Sequence, residues 1–401
     1  MQEIYFDNSA TTRPCSEAVE ASVKALGELW GNPSSLHKRG NEAARLLLNS
    51  RNEIIKAIIG SKAAMALPRH PGFKSGGGTG TLIFTGSGTE SDNLAINGTL
   101  KASKNKKRRV ITTDSEHPAV LETLSAAEEE GVEVYRLSTA SGVVNLQELE
   151  EAVTPDTVLI TVMHVNNETG AVYDIPRIFS IARSLAPGVI CHTDCVQSFQ
   201  KLSIDPLSLN ADMITISGHK VHGPKGIGAL WISDAMVRKR LPLPVTTGGG
   251  QENGYRSGTE NLPGIAGFAA AVAANGGENS YCDFLRITSA LRQTIIKNLP
   301  TGIRVNTPAG KYVPNILSLT LPVPKSQPML NFLSARGIYI SSGSACSSHK
   351  NTVSRTLTAF GLSHEEADRT VRVSLDASNT ESEAILFCKA LGEGIEKLRG
   401  K

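Results

Sequence analysis

Lys220 stands in SGHKVHGPKG (217–226), directly behind the apolar run MITISG. A lysine is rarely buried without a task. At the end of a sheet strand its amine can be desolvated, which lowers its pKa and suits it to attack an aldehyde. An exposed turn lysine is the plain alternative. Asp194 closes VICHTD, at the strand end where such sheets bind ligands. A buried carboxylate needs a cation, and a protonated pyridine nitrogen would be one; capping of the next turn is the simpler role. FTGSGTESDN (84–93) reads as strand, glycine turn and helix start near Thr89, a cradle of backbone amides for a phosphate or an ordinary helix start. His117, in DSEHPAV, also follows a strand pattern and could lie flat on a ring or sit in a loop. Cys346 is alone in SSGSACSSH (341–349), with nothing around it to bury it and no cysteine nearby to pair with.

The elements that must position these groups alternate along the middle of the chain. Helical apolar spacing covers 34–59, TLIFT (81–85) is a buried-strand run, and 89–103 returns to helix. RRVITT (108–113) is a strand and 118–131 a helix; VEVYRL, TVLITVMHV, VICHTD, MITISG and GIGALWI follow as apolar strands. Apolar strands interleaved with helices predict a mainly parallel sheet covered on both faces. The Gly- and Pro-rich stretch 242–263 breaks the pattern and reads as a functional loop or boundary. Beyond it come helices (264–276, 283–299), a strand (315–321), a helix (329–336), the cysteine loop, a strand (370–375) and a terminal helix (381–398), a smaller α+β unit. The division expected is a large unit over 15–262 and a small one made of 1–14 and 263–401. Residues 66–81 read as a flexible insertion whose glycines lack the Gly-Lys-Ser/Thr of a phosphate loop.

Composition excludes several classes. With 401 residues, 40% hydrophobic and 20% charged, the chain can build a sizeable core. A net charge of +3 makes no electrostatic case for nucleic acid or an anionic membrane, and the basic run at 104–109 reads as a solvated loop. No apolar run approaches the about 18 residues of a membrane span. Neither a secretion signal nor a transit peptide is visible, and six irregularly placed cysteines give no disulfide framework. A reduced, cytoplasmic protein is the expectation.

The order of the motifs is more specific than any one of them. DNSATT (7–12), GNPSSLH (31–37), TESDNLAI, Glu116-His117, MHVNNETG (163–170), Asp-x-x-Gln-Ser (194–198), GHK with GPKGIGAL, GGGQENGYRSGTEN, SSGSAC and VRVSL run through nearly the whole chain. In this order they resemble the cysteine desulfurases, class V aminotransferases of the fold type I group that depend on pyridoxal 5′-phosphate. The resemblance implies a large domain with a mainly parallel sheet between helices, a smaller α+β domain, and a homodimer. It implies that Lys220 carries the cofactor, Asp194 partners the ring nitrogen, and Gln197 and Asn167 bond the ring oxygen. His117 would stack on the ring and serve as acid or base. Thr89, Ser217, His219 and the Gly88 backbone would hold the phosphate, with Thr259 offered by the partner subunit. Arg372 would clamp the substrate carboxylate beside Asn167, a task its planar fork suits. Cys346 would be the nucleophile that takes sulfur from L-cysteine, leaving L-alanine, and its Ser/Gly tether would let the persulfide swing to an acceptor. The SSGSAC form is similar to the long-loop group that serves iron–sulfur cluster assembly or tRNA thiolation through a scaffold or sulfur carrier protein.

Departures from the family pattern are visible. The phosphate turn reads TGSGTE, with its glycines shifted, and Cys195 follows the key aspartate, where packing as a small apolar residue is expected. Asn351, Thr352 and Val353 replace the usual Leu-Glu-Pro, which bears on loop motion and acceptor choice. Three rival readings are a zinc site at Cys191, Cys195, His219 and His222, a selenocysteine lyase or other cysteine lyase on the same fold, and a non-catalytic member of a sulfur-transfer assembly.

Overall fold

The computed structural model describes residues 3–60, 79–103, 108–276, 280–343 and 353–399. Twelve strands are numbered in chain order: β1 (Ile4–Tyr5), β2 (Thr81–Thr85), β3 (Arg109–Thr113), β4 (Glu133–Leu137), β5 (Thr157–Thr161), β6 (Ile190–Asp194), β7 (Met213–Ser217), β8 (Gly228–Ile232), β9 (Arg304–Val305), β10 (Ile316–Thr320), β11 (Ile338–Tyr339) and β12 (Thr370–Ser374). Four helices matter most for the site: α1 (Ser16–Gly27), α2 (Lys38–Ile59), α3 (Gly88–Ala102) and α4 (Pro118–Glu129).

β2 to β8 form one seven-stranded sheet in the order β2-β8-β7-β6-β5-β3-β4. The pairs from β7 through β4 are parallel, and β8 runs antiparallel to both β7 and β2. Alternation along each strand sends side chains to two separate cores. Leu82, Phe84, Ile111, Ile160, Ile214 and Trp231 enter one with α2 and helices Ile175–Leu185 and Leu262–Asn275. Ile83, Val110, Leu159, Met213 and Leu230 enter the other with α3 and α4. Each fully buried aliphatic side chain contributes about 1.5–3 kcal/mol, so a sheet covered on both faces is strongly favoured, as the apolar runs predict.

A further core gathers Ile4, Phe6, Leu291, Leu317, Leu319, Val371, Val373 and Phe387 around the sheet β12-β10-β9. Helix Leu262–Asn275, which the sequence reading gives to the small unit, shares the first core through Ile265, Phe268 and Val272 and lies against α1 and α2. The N-terminal segment ties the parts together. β1 pairs with β11, and the Ser374 amide donates to the Phe6 carbonyl at 2.7 Å.

Candidate active site

The parallel strands all end on one side, and the predicted chemistry stands there. β6 delivers Asp194, β7 delivers Ser217 and the turn carrying His219 and Lys220, and the segment after β3 delivers His117. The loop after β5 brings Asn167.

α3 begins at the same edge. Ser87 caps it by accepting from the Glu90 amide at 3.1 Å. The Gly88 and Thr89 amides lie in the first turn, where no preceding turn supplies carbonyls. Their dipole end favours an anion. β8 must pass close to this turn: a Cβ on Gly228 would lie 2.4 Å from the Ser87 carbonyl carbon. The shifted glycines of TGSGTE therefore still form an amide cradle.

Lys220 Nζ donates to the carbonyls of Ser9 and, at 2.8 Å, of Ala10. Gln197 Nε2 donates to the same Ser9 carbonyl at 3.0 Å. Burial pushes the Asp194 carboxyl up, its Val196 amide contact and the Lys220 charge pull it back, and it settles at about 6. His117 caps α4, its Nδ1 accepting from the Ala119 amide at 3.1 Å. Burial, then the Lys220 charge, holds its pKa down to about 4. The ring is therefore neutral, with its proton on Nε2. His219, lowered to about 4 by burial and then by Lys220, Lys225 and Lys201, is neutral too and faces the Thr11 hydroxyl at 3.2 Å.

Arg372 is 2% exposed. Its Nη1 donates to the Asn167 carbonyl at 3.0 Å and its Nη2 to Asp7 Oδ1 at 2.9 Å. Thr259 is exposed on the glycine-rich loop, which Arg256 ties to Glu90 at 2.8 Å, beside the amide cradle. Cys346 lies outside the described residues, as do 61–78, most of the stretch read as an insertion. The two described ends of its loop meet at Glu168. Ser354 Oγ donates to Glu168 Oε2 at 2.6 Å, and a Cβ on Gly343 would lie 2.8 Å from that oxygen.

Sequence reasoning did not assign roles to several residues that shape the site. Glu116, buried and pushed up to about 8 chiefly by desolvation, accepts from the Thr113 hydroxyl at 2.6 Å and the Met163 amide at 2.9 Å. It thereby locks the turn before His117 to the loop carrying Asn167. Asn166 shapes that loop by accepting from the Thr169 amide at 2.9 Å. Asp7 lies in the quoted DNSATT motif, but nothing in the spacing marks it as the counter-ion of a residue 365 positions away. Cys195 is fully buried and its thiol is pushed up to about 12 by desolvation, so it packs as expected. Among the described residues no group of three or more His, Cys, Asp or Glu side chains is arranged to hold a metal; His222 engages Asp376 instead, at 3.1 Å.

The aminotransferase class-V profile matches residues 4–387. The chain belongs to the class-V aminotransferase family. A cysteine desulfurase of Trichormus azollae is 37% identical over 402 residues, covering 100% of this chain and 94% of that protein. A NifS-like protein of known structure superposes with a TM-score of 0.85 at 32% identity, over 99% of this chain and 100% of its own. SspA, solved in complex with cysteine, gives 0.76 at 34% identity, over 94% and 100%. As in the rest of this fold type I family, the chain is an enzyme that works with pyridoxal 5′-phosphate.

The residues present fit that cofactor. Two buried polar atoms at neighbouring strand ends have no hydrogen-bond partner, Gln197 Oε1 and Ser217 Oγ. Asp194 is a desolvated carboxylate suited to a ring cation, and the α3 amides suit a phosphate.

Proposed function

We propose that this class-V aminotransferase is a cysteine desulfurase that takes sulfur from L-cysteine, releases L-alanine and carries the sulfur as a persulfide on Cys346. The observation that carries the reading is the meeting of Lys220, Asp194 and His117 at one sheet edge, with the ends of the Cys346 loop held at Glu168, next to Asn167. Cys346 is three residues from Gly343, and three residues span at most about 10 Å. The Trichormus azollae relative named cysteine desulfurase and the cysteine complex of SspA support the same substrate.

Pyridoxal 5′-phosphate, when bound, supplies the electron sink that weakens bonds at the substrate's Cα and Cβ. Lys220 would hold it covalently, and its amine would move the proton at the substrate's Cα. Asp194 keeps the ring nitrogen protonated. His117 would stack on the ring and offer its Nε2 proton, and Gln197 and Asn167 would hold the ring oxygen. Gly88, Thr89, Ser217 and His219 bind the phosphate. Arg372 binds the substrate carboxylate. The Cys346 thiolate attacks the substrate sulfur: an S–S bond forms, the C–S bond breaks, and the electron pair left at Cβ takes a proton.

A second copy of the chain completes the site with Thr259. Supporting this, Val19, Val23, Leu26 and Trp30 recur at helical spacing along α1 and just beyond it, with Val23 61% and Trp30 65% exposed. Such an apolar stripe is suited to burial in a homodimer. The persulfide passes to an acceptor protein, an iron–sulfur scaffold or sulfur carrier. No helix among the described residues is long and apolar enough to cross a membrane; the reading places the enzyme in the cytoplasm. Mass spectrometry after exposure to L-cysteine tests the proposal: the peptide carrying Cys346 gains one sulfur atom as alanine appears. Alanine release with no gain at Cys346 overturns the route.

A further inference from the structure

Behind the Lys220 turn lies a cavity of ≈ 1360 Å³, walled by the segment 11–15, Gln200 and Lys201, the turn 220–225 and the segment 375–379. Lys220 touches it, but His117, Asp194, Gln197 and Ser217 do not. Its charges are unbalanced. Each acid on the wall already has a partner: Glu3 accepts from the Tyr339 hydroxyl at 3.2 Å, Asp283 pairs with Arg286 at 3.2 Å, and Asp376 pairs with His222 at 3.1 Å. Three cations do not. Arg13 and Lys225 are exposed, and Lys201 is 7% exposed. None of their side chains makes a hydrogen bond or ion pair with any described residue.

Beside Lys201, Gln200 is 8% exposed and its Oε1 is buried without a hydrogen-bond partner. Gln200 and His222, both on this wall, hold positive φ angles of 61°. Non-glycine residues in that region cost about 1 kcal/mol or more and cluster where structure serves a ligand. A buried ammonium that makes no hydrogen bond or ion pair among the described residues is costly. Desolvation, only partly offset by Asp376 and reinforced by Arg372, brings Lys201 down to about 8.

We propose that this cavity is a second ligand site that takes a small hydroxyl-bearing oxyanion, such as hydrogen phosphate or a phosphate monoester with a free alcohol hydroxyl, against Lys201. The anion's oxygens accept from Lys201 on the floor and from Arg13 and Lys225 at the rim. Its hydroxyl donates to Gln200 Oε1, which a carboxylate cannot do. The site is separate from the amide cradle of α3 and stays open when that cradle holds the cofactor.

The test is titration calorimetry of the cofactor-loaded enzyme with inorganic phosphate, glycerol phosphate and acetate, at ionic strength matched with potassium chloride. Phosphate or its ester binds, and whichever binds tighter names the source. Lys201→Met binds about tenfold more weakly, as expected for loss of one charge-assisted contact, and Arg13→Gln about threefold. Both variants keep the near-visible cofactor absorbance. Wild-type affinity falls as pH rises past about 8, where Lys201 loses its proton, a readout that survives if Lys201→Met does not fold. Undiminished phosphate binding in Lys201→Met, acetate binding as tightly as phosphate, or no phosphate heat beyond chloride each overturns the proposal.

Discussion

Lys220 and Gln197 share one acceptor, the Ser9 carbonyl, although they come from different strand ends and the acceptor from the N-terminal segment. That carbonyl holds the lysine amine beside Asp194 and the imidazole of His117, whose pKa values both register its charge. The amine is thus parked at the site before any aldehyde arrives, which limits the entropy lost on attack.

Lys220→Ala removes the anchor. The variant is expected to lose the near-visible absorbance of the bound cofactor and all alanine release. A variant that stays yellow through a covalent bond would show that another amine does this work.

Asp194→Asn gives opposite results with and without cofactor. The folded carboxyl sits at about 6, above the ordinary value of about 4. Its burial costs nothing below the ordinary value, grows as pH rises through the folded one, and is constant above. Cofactor-free Asp194→Asn should therefore melt a few degrees higher than wild type at pH 8 and at the same temperature near pH 4. Asp194 helps raise the buried acids Asp92 and Glu116, so losing its charge relieves them as well and acts in the same direction. The same variant should bind the cofactor at least about tenfold more weakly, because the ring cation has lost its counter-ion. Equal melting temperatures at both pH values would contradict the desolvation account.

Asp7→Asn leaves the Arg372 fork without its charged partner. A hydrogen bond to a charged group contributes about 1.5–3 kcal/mol, so KM for cysteine should rise about tenfold while kcat changes little. A fall in kcat at unchanged KM would place Arg372 elsewhere in the reaction.

Cys346→Ser should keep the cofactor absorbance and lose sulfur delivery. Absorbance spectra and persulfide labelling separate the two. Sulfur transfer at the wild-type rate would move the nucleophile to another thiol.

His222 and Asp376 form a part-buried ion pair that raises the histidine and depresses the acid. The histidine's share of stability is complete below its ordinary value of about 6.5 and disappears as pH rises through the raised folded value. Asp376 stays ionised throughout that window. His222→Gln should cost about 1 kcal/mol at pH 5.5 and close to nothing at pH 9, measured by urea denaturation at each pH.

Strand ends were legible because a buried parallel strand must be apolar and must stop, so Asp194, Ser217 and the Lys220 turn declared their position. The α3 start was legible for the same reason, a strand and glycine turn before helical spacing. What stayed hidden depends on contacts between distant parts of the chain. Nothing local marks Asp7 as the partner of Arg372, or Ser9 as the acceptor for Lys220. Helix Leu262–Asn275 follows a loop that looks like a boundary, yet its small and apolar residues fit against α1 and α2. Nothing in QSFQK marks Lys201 as a buried charge, because its burial depends on the tertiary fold.

The N-terminal segment ties the last strand, β12, to the reaction centre: Ser9 donates its amide to Ser374 Oγ at 2.8 Å while its carbonyl receives Lys220. On the ribosome, the first ten residues must therefore wait for the last strand to emerge before they can be seated. A nascent chain can pack its large sheet early, but the Lys220 amine can be parked on the Ser9 carbonyl only once β12 has emerged to seat that segment.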